Sequence, residues 1–376
     1  MPSSPDDAAL TARPDDAALT AGPDDAALTA RLDAAGLVAR PHASIVGAFL
    51  EGWRRTLSAP VLTLGILSAT FVTALPLGIA LQGELARQFG SSLEAERSES
   101  TWNLIWAGEF QSQASPMART FTHEILGFGG TLAALSGFLD AESLDPTIAA
   151  VVVGYIGLWV FLSGGILDRF ARGRPLRPFS FFAACGAYFL RFVRLAVVIG
   201  PCYWLLFAKL HPWLFGTLYD RFTRDLAAEH QVVGVRVALY LVFVSLLVAV
   251  NLVADFAKVR AVVEDRRSAI SALGAALRFI RRRAARVLAL YLLNVIAAAV
   301  VLRLWLQMAP GAAAPVWLAL LGGQLYILAR VWAKLAFMAS EVVFFQGELA
   351  HASFTAAPEP VWPDSPAVEA IKNLRK

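Results

Sequence analysis

Few residues in this chain have the types and spacing that catalysis requires. His123-Glu124 opens like the helix of a zinc protease, but Gly127 stands where the second histidine should follow one turn later. The glycine-rich run 127–130 follows no predicted strand and precedes no Lys-Ser or Lys-Thr, so it does not match a phosphate-binding loop. A Gly-x-Ser-x-Gly nucleophile motif is absent from the sequence. We therefore predict that the protein is not an enzyme and has no metal site and no cofactor.

Three polar side chains fall within long apolar segments: Asn251, Asn294 and Arg330. A polar group at membrane depth is costly unless it is satisfied, and it often marks a pathway. One interpretation is hydrogen bonding between neighbouring helices. The other is a polar cavity that receives a substrate or a lipid headgroup. No dense series of membrane carboxylates accompanies these residues, which argues against a proton-coupled pump.

Three acids, Asp168, Asp255 and Glu341, lie near the ends of predicted spans and close to basic residues. A salt bridge at the membrane interface is one interpretation of each. A single acidic cluster, formed where the three meet about a repeat axis, is the other. The sequence leaves both open.

The composition requires a membrane. Hydrophobic residues make up 57% of the chain and charged residues 16%, and the mean hydropathy is +0.58. In soluble domains the apolar fraction is roughly 45–50% and the charged fraction is about 25%. A spanning helix needs about 20 apolar residues. Four uncharged runs meet or approach that length: 56–83, 147–167, 237–254 and 304–328. Two further segments are less clean. Residues 195–208 reach that length if the preceding Arg191 and Arg194 extend to the headgroups, and residues 287–308 contain Arg303 near one end. We predict an all-α integral membrane protein with six transmembrane helices, the sixth at about residues 313–334. The outer segments are an insertion at 83–146, with amphipathic stretches at about 102–110 and 121–139, and a loop at 211–235.

The six spans read as three repeats of an amphipathic elbow plus a helical hairpin. An elbow is an Arg-bearing amphipathic stretch that runs directly into a span, and the three occupy residues 44–58, 178–193 and 268–286. Each repeat closes with an aromatic-Ala-basic triplet, at Phe170-Ala171-Arg172, Phe256-Ala257-Lys258 and Trp332-Ala333-Lys334. Arginines beside an apolar face suit the headgroup layer of anionic lipids. The predicted headgroup-contacting residues are Arg54, Arg55, Arg191, Arg194, Arg281 and Arg282.

Charge sets the predicted orientation. The net charge is +4 and the pI is near 9.2, but the basic residues concentrate in the connections between spans two and three and between spans four and five. That distribution is the positive-inside pattern. It predicts a multi-pass protein of the bacterial cytoplasmic membrane with both termini in the cytoplasm, and it excludes nucleic acid as the partner.

Three regions follow from these patterns. Residues 1–43 form a cytoplasmic tail in which Pro-Asp-Asp-Ala-Ala-Leu-Thr-Ala recurs every nine residues. A proline in each copy prevents one long helix, so we predict disorder, with a docking array for a cytoplasmic protein partner as the alternative. Residues 44–352 form the membrane domain, with an outer amphipathic insertion at 83–146 that lies on the bilayer or caps the bundle. Residues 353–376 form a second cytoplasmic tail.

The elbow-hairpin layout, with Arg191-Phe192-Val193-Arg194 and the three triplets, resembles the membrane portion associated with some bacterial glycerophosphodiester phosphodiesterases. The resemblance covers about residues 44–350. The His-Arg-Gly opening and the acidic metal ligands of that enzyme's catalytic part have no counterpart here, so the resemblance implies no catalytic activity.

We expect a non-enzymatic scaffold or lipid-interacting component of the membrane. The alternative is a small-solute or lipid transporter with a polar cavity between repeats, which Pro76, Pro201 and Gly322-Gly323 within the spans favour. An embedded enzyme is a third, weaker reading. A scaffold should have a dry core, whereas a transporter should have a polar cavity near mid-membrane.

Overall fold

The computed structural model describes residues 44–89, 104–115, 118–120, 129–143, 146–173, 177–226, 228–310 and 314–349. All regular secondary structure in these residues is helical, which confirms the all-α class. The predicted tails, His123 and the first half of the glycine-rich run lie outside the described residues.

The α-helices, numbered in chain order, are α1 (Ile45–Leu57), α2 (Pro60–Phe89), α3 (Leu104–Gln113), α4 (Gly129–Leu139), α5 (Pro146–Arg172), α6 (Pro178–Leu205), α7 (Tyr219–Thr223), α8 (Glu229–Val263), α9 (Ala269–Arg282), α10 (Ala284–Met308) and α11 (Val316–Glu348).

Five of the described helical segments are long and apolar enough to cross a membrane: Pro60–Arg87, Ile148–Arg172, Pro178–Thr223, Glu229–Val263 and Ala284–Met308. Large apolar side chains on these segments face outward, as Val61 (82% exposed), Val197 (69%) and Leu241 (65%) show. Water would penalise such a surface, whereas lipid would solvate it. The helices therefore identify a multi-pass membrane protein. The sixth predicted span, 313–334, falls largely in α11, which is not among the five.

The first and third elbows are separate amphipathic helices, α1 and α9. Ser44 caps α1 by accepting a hydrogen bond from the Gly47 N–H at 2.9 Å, and Ser268 caps α9 through the Ser271 N–H at 3.4 Å. The second elbow differs from the prediction. Residues 178–193 form the first half of the unbroken helix α6, because nothing within that stretch caps or breaks the helix.

The outer loop predicted for residues 211–235 is also largely helical. The chain continues from α6 through two π-helical stretches, Leu206–Leu210 and Trp213–Leu218, into α7. Pro201 and Pro212 lack the N–H that would continue the α-helical pattern, and π-helical turns are one way for a spanning helix to accommodate such a loss.

Burial concentrates at one end of the bundle, here called the basic end, where α1, α9 and α11 meet the C-terminal parts of α5 and α8. The rings of Phe256, Phe279 and Phe344 join α8, α9 and α11, with centroids 5.3–6.4 Å apart. Gly52 of α1 packs directly on the backbone of Ser340 in α11. The basic end is thus the rigid part of the fold, and the helices extend from it toward the opposite end.

Two short helices of the predicted outer insertion are found. The first, α3, matches the amphipathic stretch predicted around residues 102–110, and the second, α4, begins at Gly129. Helix α4 is attached at the opposite end of the bundle, where the carbonyl of Leu139 lies 2.9 Å from Nε2 of the buried His211. The insertion therefore includes a helix that covers that end of the bundle.

Candidate functional site

A cavity of about 1320 Å³ lies between helices α5, α6, α8, α10 and α11, and α4 contributes to its wall at the opposite end. Most of the wall is apolar, including Leu135, Phe138, Ile156, Val160, Ile199 and Leu302. The volume exceeds the usual range of about 300–1,000 Å³ for small-molecule pockets. The space therefore suits a ligand with a long apolar part.

Charged residues gather in the part of the cavity nearer the basic end. Lys258 lies one helical turn after Asp255 on α8, and its Nζ is 2.5 Å from Asp255 Oδ1. Helix α11 adds Arg330, Lys334 and Glu341 to the same wall. With all five ionised, three positive charges face two negative ones, so this part of the cavity has a net charge of one positive unit.

Two of the cations contact aromatic rings. Lys334 Nζ lies 3.4 Å from the centroid of the Trp159 ring, and the Arg330 guanidinium lies 5.5 Å from the centroid of Tyr326. Cation–π contacts hold such groups without neutralising them. Within the part of the chain that the structure describes, neither residue has a carboxylate at ion-pair distance. Both charges therefore remain available to an anion.

Glu341 is 4% exposed, lines the cavity and lies outside the five candidate spans. Its Oε1 atom is buried and has no hydrogen-bond partner among the described residues. Burial, followed by the nearby Asp255 carboxylate, raises the pKa of Glu341 well above its usual value, and Lys258 opposes part of that rise. This carboxylate is therefore easier to protonate than that of an exposed glutamate.

Two of the three predicted cavity residues, Asn294 and Arg330, line this cavity. The Asn294 Nδ2 group also donates to the Leu290 carbonyl and to Ser340 Oγ, each at 3.0 Å, so it joins α10 to α11 as well. Asn251 is not among the lining residues. Its Oδ1 accepts a hydrogen bond from Tyr203, which is a lining residue. Asn251 therefore positions a wall residue rather than facing the space itself.

The acidic residues do not form one cluster of three. Asp255 and Glu341 face the same cavity, whereas Asp168 pairs with Arg172, Oδ1 to Nε, at 2.9 Å and is not a lining residue. Sequence reasoning used the triplets only as repeat markers and missed that Lys258 and Lys334 face the cavity. Their signal was present: each is a cation at the end of a predicted span, directly after an aromatic residue and an alanine.

The predicted headgroup arginines lie at the basic end in two kinds of environment. Arg194, Arg281 and Arg282 are exposed. Arg55, in contrast, donates to the Phe170 carbonyl at 2.5 Å, and Arg191 pairs with Asp265, Nη1 to Oδ1, at 2.5 Å. These two therefore join elements of the fold, whereas the three exposed arginines are accessible to lipid.

Arg54 remains largely exposed, although it forms an ion pair within α1. Its Nε donates to Glu51 Oε2 at 2.6 Å while 78% of the arginine side chain stays accessible. Burial disfavours the ionised form of Glu51, but hydrogen bonds from Arg54 and Arg55 outweigh that effect and lower its pKa. Arg54 can therefore reach a lipid phosphate only by leaving or sharing Glu51.

The opposite end of the cavity is held by a polar contact between α4 and α8. Asp140, just after α4, accepts hydrogen bonds from Tyr240 and from Ser136 Oγ, and Arg236 Nη2 lies 3.6 Å from its carboxylate. The Tyr240 hydrogen bond is the main cause of the lowered pKa of Asp140. Because Leu135 and Phe138 of α4 line the cavity, these contacts hold a helix over its end.

Comparison with known protein families, characterised proteins and solved structures finds no match to this chain. Among the described residues, no group of three or more His, Cys, Asp or Glu side chains is placed to hold a metal ion. The candidate site is therefore defined by its own geometry: a long, mostly apolar cavity with two uncompensated cations and a buried carboxyl toward one end.

Proposed function

We propose that the protein binds an amphipathic anion, a phosphate-bearing membrane lipid, in the cavity and handles that lipid in the bacterial cytoplasmic membrane. The phosphate lies against Lys334 and Arg330, and the acyl chains lie along the apolar walls. The observation that carries the proposal is that Lys334 and Arg330, which have no acidic partner among the described residues, face a large apolar space. Arginine and lysine are the usual donors to phosphate.

A purely structural scaffold accounts less well for this arrangement. Lys334 and Arg330 are exposed to the cavity rather than buried. A charged side chain inside a membrane bundle is costly unless a partner satisfies it, and a bundle that needed only stability would pair these cations or replace them with apolar residues. The cavity is also the feature expected of the transporter alternative rather than of a dry-cored scaffold. We therefore favour lipid binding or lipid translocation, without catalysis, over a passive structural role.

The membrane arrangement belongs to the same proposal. We place six spans in three repeats, with α11 supplying the sixth at residues 313–334 and Glu341 beyond its end. The basic end lies at the cytoplasmic face, since positive connections mark that side. The exposed elbow arginines then meet anionic headgroups at the mouth of the bundle. Kinship with the membrane portion of glycerophosphodiester phosphodiesterases, and a protein partner for the nonapeptide repeats, remain predictions.

The test is lipid binding by the purified full chain. Short-chain phosphatidylglycerol is titrated into protein in neutral detergent, and the double variant Lys334→Gln, Arg330→Gln is compared with wild type. At about 1 kcal/mol for each cation, the dissociation constant should rise about fivefold per residue and about thirtyfold for the pair. The control double variant, Arg224→Gln with Arg303→Gln, changes two exposed arginines outside the cavity.

Inorganic phosphate is titrated in parallel, because the two cations could bind either a lipid phosphate or a free phosphate ion. Binding of the lipid with weak or no binding of phosphate supports a lipid site. Equal affinity for both would mean that the apolar walls contribute nothing, and the transporter alternative for small anions would replace lipid handling. If the cavity and control variants bind like wild type, the proposal is refuted.

A further inference from the structure

The buried carboxyl of Glu341 has no role in holding an anionic headgroup. Its side chain is almost fully enclosed, it lines the same cavity as Lys334 and Arg330, and one of its oxygens has no partner among the described residues. An ionised carboxylate there would repel a lipid phosphate. A neutral carboxylic acid would not repel it, and its O–H could donate a hydrogen bond.

The groups that face Glu341 come from three helices. Helix α8 contributes Asp255 and Lys258, which are paired with each other. Helix α10 contributes Tyr291 on the same wall. Helix α11 itself contributes Lys334, which lies about two helical turns before Glu341. The Asp255–Lys258 pair is close to neutral as a unit, so the unpaired charge on this wall comes from Glu341 and from the two cations.

Among the described residues, the charges that shift the pKa of Glu341 are those of Asp255 and Lys258, and the other charged groups at the basic end, including the buried Arg169, do not contribute. On α1, Glu51 is paired with its own arginines, and Arg55 also donates to the Phe170 carbonyl. On α5, Asp168 is paired with Arg172. The arginines that end α9, such as Arg281 and Arg282, are exposed. The protonation state of Glu341 is therefore set mainly by the cavity and by what occupies it.

We propose that Glu341 is a proton-binding site coupled to the anion site, so that the protein takes up a proton when an anionic lipid enters the cavity. This inference rests on the proposed function. The carboxylate accepts a proton from a hydronium ion of the solvent: the O–H bond of the acid forms, one O–H bond of the hydronium ion breaks, and a water molecule is released. The net charge of the cavity rises from one to two positive units on protonation, and a phosphodiester with one negative charge returns it to one positive unit.

The coupling works in both directions. An anion beside Lys334 and Arg330 makes protonation of Glu341 more favourable, and protonation makes anion binding more favourable by the same factor. Affinity for the lipid should therefore fall as the pH rises through the pKa of Glu341, by up to about tenfold per pH unit within the linked range. A single carboxyl suffices for this linkage, so the absence of a carboxylate series from the spans does not oppose it.

The experiment is isothermal titration of dihexanoyl phosphatidylglycerol into the full-length protein in neutral detergent. Titrations at pH 6, 7 and 8, in pairs of buffers with different ionisation enthalpies, count the protons taken up on binding. Wild type should take up a fraction of one proton per lipid, with affinity falling toward high pH. Glu341→Gln, a neutral mimic of the protonated acid, should bind with nearly pH-independent affinity and take up no proton. Glu229→Gln, at an exposed acid that starts α8, should behave like wild type.

Failure of the proton coupling can be distinguished from failure of lipid binding. If wild type binds the lipid with no proton uptake and no pH dependence, the coupling is refuted and the lipid site stands. If Glu341→Gln still takes up a proton, another titratable group of the cavity wall is the proton site and the assignment to Glu341 is overturned. If wild type binds no lipid at any pH, the proposed function fails and this inference with it. If Glu341→Gln does not fold, the coupling is tested on wild type by infrared difference spectroscopy. The C=O band of a carboxylic acid should grow when lipid is added, and the absence of that change refutes the proposal.

Discussion

The contact between Gly52 and Ser340 allows a stability prediction at a point that also supports the cavity. A Cβ atom at Gly52 would lie 2.5 Å from the Ser340 amide nitrogen, 2.6 Å from its Cα and 2.7 Å from its Cβ. Carbon atoms in contact are normally about 3.5–4.0 Å apart. The change Gly52→Ala must therefore push α1 and α11 apart by about 1 Å, against backbone that cannot rotate away.

Overpacking of this kind typically costs about 1–3 kcal/mol. For a chain of this size that corresponds to a fall of about 2–6 °C in the unfolding midpoint, at roughly 2 °C per kcal/mol. The displacement should also weaken the 3.0 Å hydrogen bond from Asn294 to Ser340 Oγ, since Ser340 is the residue that must move. The Trp53 and Trp332 rings, whose centroids are 4.4 Å apart across the same contact, provide an intrinsic fluorescence signal.

The matched control is Gly274→Ala on the third elbow. A Cβ there meets only the Arg278 Nη1 atom, at 3.8 Å, which is an ordinary contact. Alanine should stabilise α9 by about 0.4–1 kcal/mol, because it restricts the unfolded chain and favours helix. The assay is thermal unfolding of both variants in the same detergent. If Gly52→Ala unfolds at or above the temperature of Gly274→Ala, the close α1–α11 contact is refuted.

Two further predictions concern the end of the bundle that carries α4 and the orientation in the membrane. Asp140→Asn should increase protease cleavage around α4, because the hydrogen bond from Tyr240 is weakened. Wild type should show the same effect at low pH. The pKa of Asp140 is lowered in the folded protein, so its ionised form contributes stability above the ordinary aspartate range, and this stability is lost as the pH falls through the folded pKa. Unchanged cleavage would show that α4 is held by other contacts. The orientation is tested by cysteine labelling in a background that lacks the exposed Cys202. A cysteine at Ser143 should react with an impermeant reagent in intact cells, whereas one at the exposed Ile270 should not. Equal labelling would contradict the assigned topology.

The elbows show what sequence patterns can predict in a membrane protein. Their faces alternate between apolar and charged residues with helical period, and both α1 and α9 form as separate helices with serine caps. The same pattern at 178–193 led to an incorrect boundary, because an amphipathic stretch and a span can share one helix when nothing interrupts them. Charge patterning shows where a helix enters the headgroup region, but does not by itself show where it ends.

The cavity was only partly predictable. Asn294 and Arg330 stood out because they are polar within apolar runs, whereas Trp159 and Tyr291 look like any other aromatic residue of a span. In a soluble protein the buried face of a helix is the apolar one, so periodicity reveals which helices pack together. In a membrane the outward face is apolar too, and that signal is lost. The way α5, α6, α8, α10 and α11 enclose a space, with α4 over one end, follows from packing that the sequence does not display.

The distribution of charge and packing argues for a site rather than a defect. At the basic end, Arg260 is buried but satisfied: it donates to the Ala275 carbonyl at 2.5 Å and pairs with Glu264 at 2.7 Å. The cavity cations Lys334 and Arg330 lie on α11, which also contributes Phe344 to that well-packed end, yet they are left with aromatic rings and an open, largely apolar space. The same fold thus satisfies a buried cation fully and leaves two cations that are exposed to the cavity without carboxylate partners among the described residues. Departures from full satisfaction in an otherwise consistent structure are expected where a ligand completes the interaction, and the phosphate of the proposed lipid would complete it here.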